Sequence, residues 1–584
     1  MESDRPYALA NGAAAPRATP TPPRFPWLKT YPAGVNWSES FKGKPLPALL
    51  EEAAAQFGSR TCTNFLGKEL SYSRVQALVD RVAEGLQKQG VRKGVNVGLL
   101  LPNCPSFVIF YFGILKAGGT VVNFNPLYTV SELAGQTKDS QIKLMVTLDL
   151  KALFPKVEAL LESGALPGAV ICPFTKLLPG VKSVLFRVAK SGDLSRWRSS
   201  PQAGKIIAYD DLIANDGKPQ PAVIDPDNDV AVLQYTGGTT GTPKGAMLTH
   251  SNLSINVEQL VRWAPGMVLG EEQLMGILPF FHVFGMTVVM NFAIAIGASL
   301  ILMPRFQLAD GLKLIRKLRP TLMPGVPTLF NALLTAPKLE KDHLVSLKFC
   351  FSGGAPLPVE VKRKFESASG CALVEGYGLS ETSPVATANP LSGSNKSGSI
   401  GVPLPSTRIS IRSLDDPSKE MPLGENGELC IAGPQVMKGY WQRPKETADM
   451  MVGEFFRTGD VGYMDAEGFT FIVDRMKDII ICSGFNVYPR RIEEAIYEFP
   501  AVQEVTVLGI PDTYRGEAPK AYVKLREGME AKPSDIMTFL QDKLSKIEMP
   551  AEIEFRDELP KTLIGKLSKK ELRAEMKQAN ARKT

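Results

Sequence analysis

The chain is 584 residues long, which predicts more than one domain and leaves ample length for a large hydrophobic core. Hydrophobic residues make up 44% and charged residues 22% of the chain, as in ordinary soluble proteins. The net charge of +7 is modest and no basic stripe is interleaved with aromatic residues, so we expect no nucleic-acid partner.

The two terminal segments and the cysteines bear on the cellular compartment of the protein. Residues 1–34 are rich in Ala, Pro and Thr without a long apolar run, which predicts a disordered leader rather than a signal peptide. Seven cysteines lie singly and only three histidines occur, which argues against structural zinc and indicates reduced thiols in the cytoplasm. Residues 561–584 hold eight Lys or Arg and two acidic residues, which we interpret as a solvated helix end, with contact to anionic lipid as the alternative.

Strand-like and helical patterns alternate after the leader. Strands are predicted at 97–101, 119–123 and 144–147, and a helix at 105–117. This alternation predicts an α/β fold, in which a large N-terminal domain at 35–473 is built from mostly parallel sheets covered by helices.

Two less regular stretches follow. Residues 173–218 predict a surface excursion, and no clear amphipathic period supports a membrane-surface contact there. Residues 273–304 carry no Asp, Glu, Lys or Arg, so a membrane-anchored binding protein is an alternative. We favour a helix that reaches residue 295, followed by a buried strand at 298–302.

The residue pattern changes beyond residue 460, where charged residues alternate with short β-type runs. Strands at 479–482, 505–510 and 521–525, with helices at 491–498 and 534–546, predict a small mobile α+β domain at 478–584. The join at 474–477 is short, charged and free of glycine, which predicts a defined hinge.

The ten residues from Thr236 to Gly245 hold four glycines, four threonines and one lysine. Glycines allow the backbone N–H groups to form a concave nest for an anion, and Lys244 supplies a charge suited to phosphate. A strand-like run at 230–235 precedes the loop, and Thr249 can cap a helix whose N-terminus we expect nearby. The loop therefore predicts polyphosphate binding, with a flexible linker as the plainer interpretation; it lacks the GK[ST] of a P-loop.

Further motifs accompany this loop: Gly-Tyr-Gly-Leu-Ser-Glu-Thr at 376–382, Thr-Gly-Asp at 458–460, and Lys561 with Lys566 near the C-terminus. In this order and spacing, from about residue 37 to residue 573, the chain resembles the adenylate-forming superfamily of acyl-CoA synthetases, luciferases and adenylation domains. The segments 235–241, 483–489 and 555–560 resemble the long-chain fatty-acid–CoA ligase branch.

The resemblance implies two half-reactions at one site. A carboxylate attacks the α-phosphate of ATP to give an acyl-adenylate and pyrophosphate, and coenzyme A then displaces AMP to form a thioester. It also implies Mg²⁺ bridging phosphate oxygens, and rotation of the small domain about Lys477, which withdraws Lys566 and presents Gly484 to the pantetheine channel.

Residue roles implied by the resemblance fall into three groups. The expected catalytic and metal-binding residues are Lys566, Glu381, Lys244, Thr236 and His282, with Glu381 and Thr236 on Mg²⁺. The expected cofactor-binding residues also include Gly237, Gly238, Thr239, Thr240, Gly241, Thr242, Gly354, Ala355, Pro356, Tyr377, Gly378, Ser380, Asp460, Arg475, Lys477 and Gly484. The expected acyl-binding residues are His282, Gly325, Val326 and Gly376, with Gly325 and Gly297 leaving room for a tunnel.

The sequence departs from the pattern of these relatives in two places. Gly237 stands where serine is common, and Ile547 and Glu548 stand where an aromatic residue and a lysine are usual, which leaves the docking of the small domain and the handling of coenzyme A in question. The alternatives are a medium-chain or aryl-acid (4-coumarate-like) CoA ligase and a fatty-acyl-AMP ligase with another acceptor. Small-molecule substrates are expected, with peripheral membrane contact as an option; the sequence does not indicate the oligomeric state.

Overall fold

The computed structural model describes residues 25–236, 243–336, 344–562 and 566–581. Residues 25–34 belong to the folded body, which corrects their assignment to the leader. Trp27 is 2% exposed and its ring meets that of Trp37 at 5.7 Å, within a cluster that includes Phe25. Burial of these aromatic rings offsets the entropy cost of ordering this short stretch.

The first sheet has nine strands in the order β16-β15-β14-β13-β12-β10-β11-β1-β2. Its central pairs are parallel, and β2, β15 and β16 add antiparallel edges. Its strands are β1 (Thr61–Phe65), β2 (Lys68–Ser71), β10 (Gln273–Gly276), β11 (Ser299–Leu302), β12 (Leu322–Gly325), β13 (Phe349–Ser352), β14 (Ala372–Gly378), β15 (Val385–Ala388) and β16 (Val402–Pro403).

The second sheet has eight strands in the order β19-β9-β8-β4-β3-β5-β6-β7. The run from β8 to β7 is parallel, whereas β9 is antiparallel to both of its neighbours. Its strands are β3 (Asn96–Leu99), β4 (Thr120–Asn123), β5 (Leu144–Leu148), β6 (Gly168–Cys172), β7 (Ile206–Ala208), β8 (Val230–Thr236), β9 (Lys244–Thr249) and β19 (Gly439–Tyr440).

Two smaller sheets follow, and nearly all their pairs are antiparallel. The third sheet contains β17 (Arg408–Arg412), β18 (Gly427–Ala432), β20 (Met451–Val452), β21 (Phe455–Met464) and β22 (Thr470–Arg475). The fourth sheet, made only from the C-terminal part of the chain, contains β23 (Ile480–Cys482), β24 (Phe485–Val487), β25 (Val502–Asp512), β26 (Gly516–Leu525) and β27 (Glu552–Phe555).

Helices cover these sheets. They are α1 (Pro47–Phe57), α2 (Tyr72–Lys88), α3 (Pro105–Lys116), α4 (Val130–Ser140), α5 (Phe154–Glu162), α6 (Gly180–Ala189), α7 (Tyr209–Leu212), α8 (His250–Trp263), α9 (Phe292–Ala295), α10 (Leu308–Leu318), α11 (Pro327–Leu334), α12 (Val359–Ser369), α13 (Pro444–Asp449), α14 (Pro489–Tyr497), α15 (Pro533–Leu540) and α16 (Lys569–Ala581).

The core explains why the N-terminal strands read as continuous apolar runs. Every residue of β3, β4 and β5 is buried, because helices cover both faces of a parallel sheet. Helix α3 is buried from Pro105 to Leu115 and packs against α2. The predicted α/β class with a smaller C-terminal α+β unit is confirmed. The exact domain bounds remain a prediction.

The charge-free stretch is a core element. It forms a buried π-helix at Phe284–Asn291, then α9 and β11, close to the predicted helix and strand. Within the described ranges, no helix combines the length and the apolar character that a bilayer crossing requires.

One local prediction is wrong. The sequence predicted that the helix capped by Thr249 begins close to the glycine-rich loop, but an additional strand, β9, lies between them and pairs antiparallel with β8 from Thr236↔Lys244 to Val230↔Thr249. Thr249 does cap α8, with its hydroxyl accepting from Asn252 N. The N-terminus of α8 therefore lies one strand length from the glycine-rich loop, about 17 Å away.

Candidate active site

Asp460 and Tyr377 meet at the junction of the first and third sheets. Tyr377 near the end of β14 donates from its hydroxyl to Asp460 Oδ2 at 2.6 Å. Arg475, the cross-strand partner of Asp460 on the β21–β22 ladder, places Nε 3.0 Å from Asp460 Oδ1. Asp460 is 3% exposed, so both carboxylate oxygens are fixed in direction. Burial, and next the Asp460 charge, raise the pKa of Tyr377 well above its usual value.

Glycines beside this pair allow backbone to approach closely. A Cβ on Gly378 would lie 1.7 Å from Pro384 O, so no side chain fits there. Gly354 has φ of +81°, a conformation that glycine adopts without strain. The turn that continues through Ala355 and Pro356 is held by Glu375 Oε1, which accepts from Leu357 N at 3.1 Å. Gly376 lies next to this turn, because a Cβ on Gly353 would be 3.3 Å from its carbonyl oxygen.

Lys566 of the C-terminal part reaches this same turn. A Cβ on Gly354 would lie 2.8 Å from Lys566 Cε and 3.9 Å from a methyl group of Val326. Burial, with a smaller effect from Arg475, lowers the pKa of Lys566 to about 8. Its backbone is tied to Thr562, whose Oγ1 accepts from Lys566 N at 3.1 Å. The predicted lysine therefore lies beside the predicted adenine turn.

His282 lies where the π-helix begins. Its Nδ1 accepts from Phe284 N at 3.2 Å, which places the proton of the neutral ring on Nε2. Burial, together with the charge of Lys566, lowers the pKa of His282 to about 3. The imidazole is therefore neutral at physiological pH, and it lies near enough to Lys566 to be affected by the charge of that lysine.

Glu381 and Lys244 share an aromatic neighbour, Tyr440. The Tyr440 hydroxyl donates to Glu381 Oε1 at 2.8 Å, and Lys244 Nζ lies 5.2 Å from the centre of the Tyr440 ring. Lys244 Nζ is also 3.4 Å from Glu446 Oε2. Burial raises the pKa of Glu381, while the Tyr440 hydrogen bond, Arg475 and Lys244 oppose this. Tyr440 and Glu446 were not identified from the sequence, because neither lies in a motif that accompanied the resemblance.

A second hydrogen-bond network, not predicted from the sequence, supports the loop end of the hairpin formed by β8 and β9. Tyr235 donates from its hydroxyl to Asp139 Oδ2 at 2.5 Å, and Arg443 places Nη2 2.8 Å from Asp139 Oδ1. Trp441 Nε1 donates to the Asp139 carbonyl at 3.1 Å. Helix α4 and the segment after β19 therefore fix the strand that enters the glycine-rich loop.

The predicted phosphate-binding residues fall only in part within the described residues. Thr236 ends β8, where its hydroxyl lies 3.5 Å from the Lys244 carbonyl oxygen. Ser380 begins a short 3₁₀ helix at Ser380–Thr382 together with Glu381. The remaining predicted loop residues lie outside the described residues: Gly237, Gly238, Thr239, Thr240, Gly241 and Thr242.

The hinge segment is bonded to both sides. Asp474 Oδ1 accepts from Arg475 N and Oδ2 from Arg490 N at the start of α14. Lys477 lies in a 3₁₀ turn, and burial followed by the charge of Arg475 lowers its pKa to about 8. Gly484 has φ of +81° and no neighbouring atom within 4 Å of a Cβ, so its turn is open to solvent.

The departures at Ile547 and Glu548 are accommodated inside the small domain. Glu548 accepts from Ser545 N at 2.9 Å and pairs with Arg491 at 3.0 Å. Ile547 packs against the small-domain core. Both side chains thus find partners within the small domain. The effect of these two residues on coenzyme A handling remains a prediction.

The expected room at two glycines is filled by protein. A Cβ on Gly297 would lie 2.3 Å from the ring of Phe57, so this glycine accommodates α1 and the tunnel prediction is wrong there. A Cβ on Gly325 would lie 2.4 Å from Leu329 and 3.2 Å from Phe330. Contact of Gly325 with an acyl chain remains a prediction.

The metal ligands that the protein could supply fit a magnesium ion that is held mainly by phosphate groups of a bound nucleotide. Within the described residues, no group of three or more His, Cys, Asp or Glu side chains is arranged to hold a metal ion. Glu381 is a single hard carboxylate, and Mg²⁺ commonly uses one or two carboxylates together with substrate phosphates. The site thus suits a metal that arrives with a nucleotide.

Comparison with known proteins agrees with this geometry. Residues 50–441 match the AMP-binding enzyme family, and residues 491–566 match the AMP-binding enzyme C-terminal domain. The long-chain-fatty-acid–CoA ligase of Bacillus subtilis (strain 168) is 44% identical over 94% of this chain and 97% of its own. A protein of the same name from Escherichia coli O6:H1 is 36% identical over 94% of this chain and 98% of its own. The crystal structure of the anthranilate CoA ligase AuaEII with anthranoyl-AMP has a TM-score of 0.81 at 25% identity, covering 94% of this chain and all of the other.

The helix-covered sheets, the smaller C-terminal unit and the two family matches together define an AMP-binding enzyme. The family match spans more than half of the chain, so this protein belongs to the AMP-binding enzyme family.

Proposed function

We propose that this protein is a long-chain-fatty-acid–CoA ligase that uses ATP and forms AMP. The position of Lys566 carries the proposal, since a lysine from the small unit lies against Gly354 and near His282. The names of the Bacillus subtilis and Escherichia coli relatives support the acid class.

In the first half-reaction, a carboxylate oxygen of the acid bonds to the α-phosphorus of ATP, and the bond to the pyrophosphate oxygen breaks. Asp460 would accept hydrogen bonds from the ribose hydroxyls, because Tyr377 and Arg475 hold its oxygens in place. Tyr377 would stack on adenine beside the Gly354 turn. Lys566 would stabilise the charge that develops where carboxylate and α-phosphate meet.

Glu381 and Thr236 would hold Mg²⁺, which neutralises charge on the phosphate oxygens when bound. Lys244 would contact the β- or γ-phosphate from the end of the hairpin. His282, neutral with its proton on Nε2, would donate to the carboxylate and orient it. A neutral donor suits this place, because a second positive charge beside Lys566 is disfavoured.

In the second half-reaction, the sulfur of coenzyme A bonds to the acyl carbon, AMP leaves, and the thiol proton passes to solvent. The small unit would rotate about Lys477, withdrawing Lys566 and presenting the open Gly484 turn. Ser483, with φ of +53°, and Gly484 hold that turn between β23 and β24.

The experiment is ATP–pyrophosphate exchange across carboxylic acids of graded length and aromaticity, followed by coenzyme A addition to the best acid. Activity that peaks at long aliphatic acids, with thioester formed, supports the proposal. A peak at medium-chain or cinnamate-like acids would assign the medium-chain or aryl-acid alternative. Exchange without thioester would assign another acyl acceptor.

A further inference from the structure

Helix α6 exposes an apolar stripe. It buries none of its ten residues. Val181, Val184, Leu185 and Val188 are 76%, 61%, 60% and 78% exposed. Their spacing of three, one and three residues places them on one face of the helix. Helix α6 is therefore amphipathic over this short segment, although the sequence alone did not show a clear period.

The opposite face fixes the orientation of α6. The ring of Phe186 lies 5.0 Å from that of Phe174, which itself meets Phe65 of β1. Lys182 Nζ donates to Leu66 O at 2.7 Å, and Arg187 Nη2 donates to Thr175 Oγ1 at 3.3 Å. Phe186, Lys182 and Arg187 thus attach α6 to the protein body. The apolar stripe lies on the other face and points away from the body.

The surroundings of the stripe are basic. Residues 173–198 contain six Lys or Arg and one acidic residue. Of these cations Lys176 pairs with Asp210, whereas among the described residues Lys182, Lys190 and Arg196 make no ion pair. The exposed apolar face thus lies within an excess of positive charge.

We propose that α6 docks this protein on an anionic membrane surface, with the Val181–Val184–Leu185–Val188 face inserted at the headgroup boundary. An apolar stripe flanked by unpaired cations is the pattern of helices that lie in the interface plane. Ten residues of helix span about 15 Å, so α6 is far too short to cross a hydrocarbon core of about 30 Å. The basic surroundings favour lipid phosphates over a neutral protein groove. The proposal does not depend on the acid that the enzyme activates.

The test is flotation of the full-length protein with vesicles of phosphatidylcholine alone or mixed with phosphatidylglycerol. We expect binding to the anionic vesicles that weakens with salt. The double variant Val184→Ser, Val188→Ser should lower the apparent affinity at least about tenfold, since each inserted side chain loses its transfer free energy. Lys190→Gln should lower binding to anionic vesicles about fivefold and leave neutral vesicles unchanged.

The matched control is Val223→Ser with Val345→Ser, two exposed valines outside α6. All variants should keep wild-type ATP–pyrophosphate exchange, because none of these residues touches the site. Equal flotation of wild type and the α6 double variant would overturn the proposal. Loss of a dimer in the α6 variant, measured by sedimentation without any change in flotation, would assign the stripe to a second copy of the chain and also overturn it.

Discussion

The Tyr377 hydroxyl and the Asp460 carboxylate are joined by a 2.6 Å hydrogen bond across two sheets. Asp460 is 3% exposed, so this hydrogen bond fixes the direction of its carboxylate within the protein. Arg475 holds the other carboxylate oxygen at 3.0 Å. This geometry is what the proposed role of Asp460 as an acceptor for the two ribose hydroxyls requires.

Tyr377→Phe should raise the KM for ATP about tenfold, because a buried hydrogen bond to a charged group is worth roughly 1.5–3 kcal/mol. The adenine-stacking ring remains, so kcat should change less. KM and kcat would be measured by ATP–pyrophosphate exchange. Tyr463→Phe is the control, since Tyr463 lies on the same strand as Asp460 and stacks on Phe471 instead. An unchanged KM for ATP in Tyr377→Phe would contradict the assigned role.

The pH dependence of adenylation should report Lys566. Burial lowers its pKa to about 8, so the fraction of charged ammonium falls as pH rises through 8. The kcat/KM for the acid should therefore decline above pH 8, because this parameter reports the free enzyme. Lys566→Arg stays charged, so its residual activity should lack the decline. His282, with a pKa of about 3, should contribute no titration between pH 5 and 9. An identical alkaline decline in Lys566→Arg would assign the titration to another group.

Glu381 and Tyr440 should govern the magnesium requirement. Tyr440→Phe removes the 2.8 Å hydrogen bond that favours the ionised carboxylate, so the Mg²⁺ concentration for half-maximal exchange should rise several-fold. Glu381→Gln removes the ligand charge and should lower kcat about a hundredfold. Glu467→Gln, on the surface beside Lys396, is the control. The account fails here if Glu381→Gln keeps the wild-type dependence on Mg²⁺.

Sequence patterns gave the helix-covered parallel sheets because buried strands such as β3 and β5 read as apolar runs. The residues of the nucleotide cluster were assigned by resemblance, and the structure brings Tyr377, Asp460 and Arg475 together. Tyr440 could not be predicted, because its contact with Glu381 joins residues 59 apart in the chain. Strand β9 was also missed. It is recognised by its pairing with β8, and residues 244–249 carry no alternating apolar pattern that would predict a strand.

The most direct test of the account separates the two half-reactions in Lys566→Ala. Adenylation would be measured by ATP–pyrophosphate exchange, and thioester formation by single turnover of supplied fatty acyl-adenylate with coenzyme A. Lys561→Ala is the matched control, because Lys561 lies in the same segment and pairs with Glu504 instead. We predict that Lys566→Ala abolishes exchange and leaves thioester formation within about twofold of wild type, with the control unaffected in both. Equal loss of both half-reactions in Lys566→Ala, or retained exchange, would contradict it.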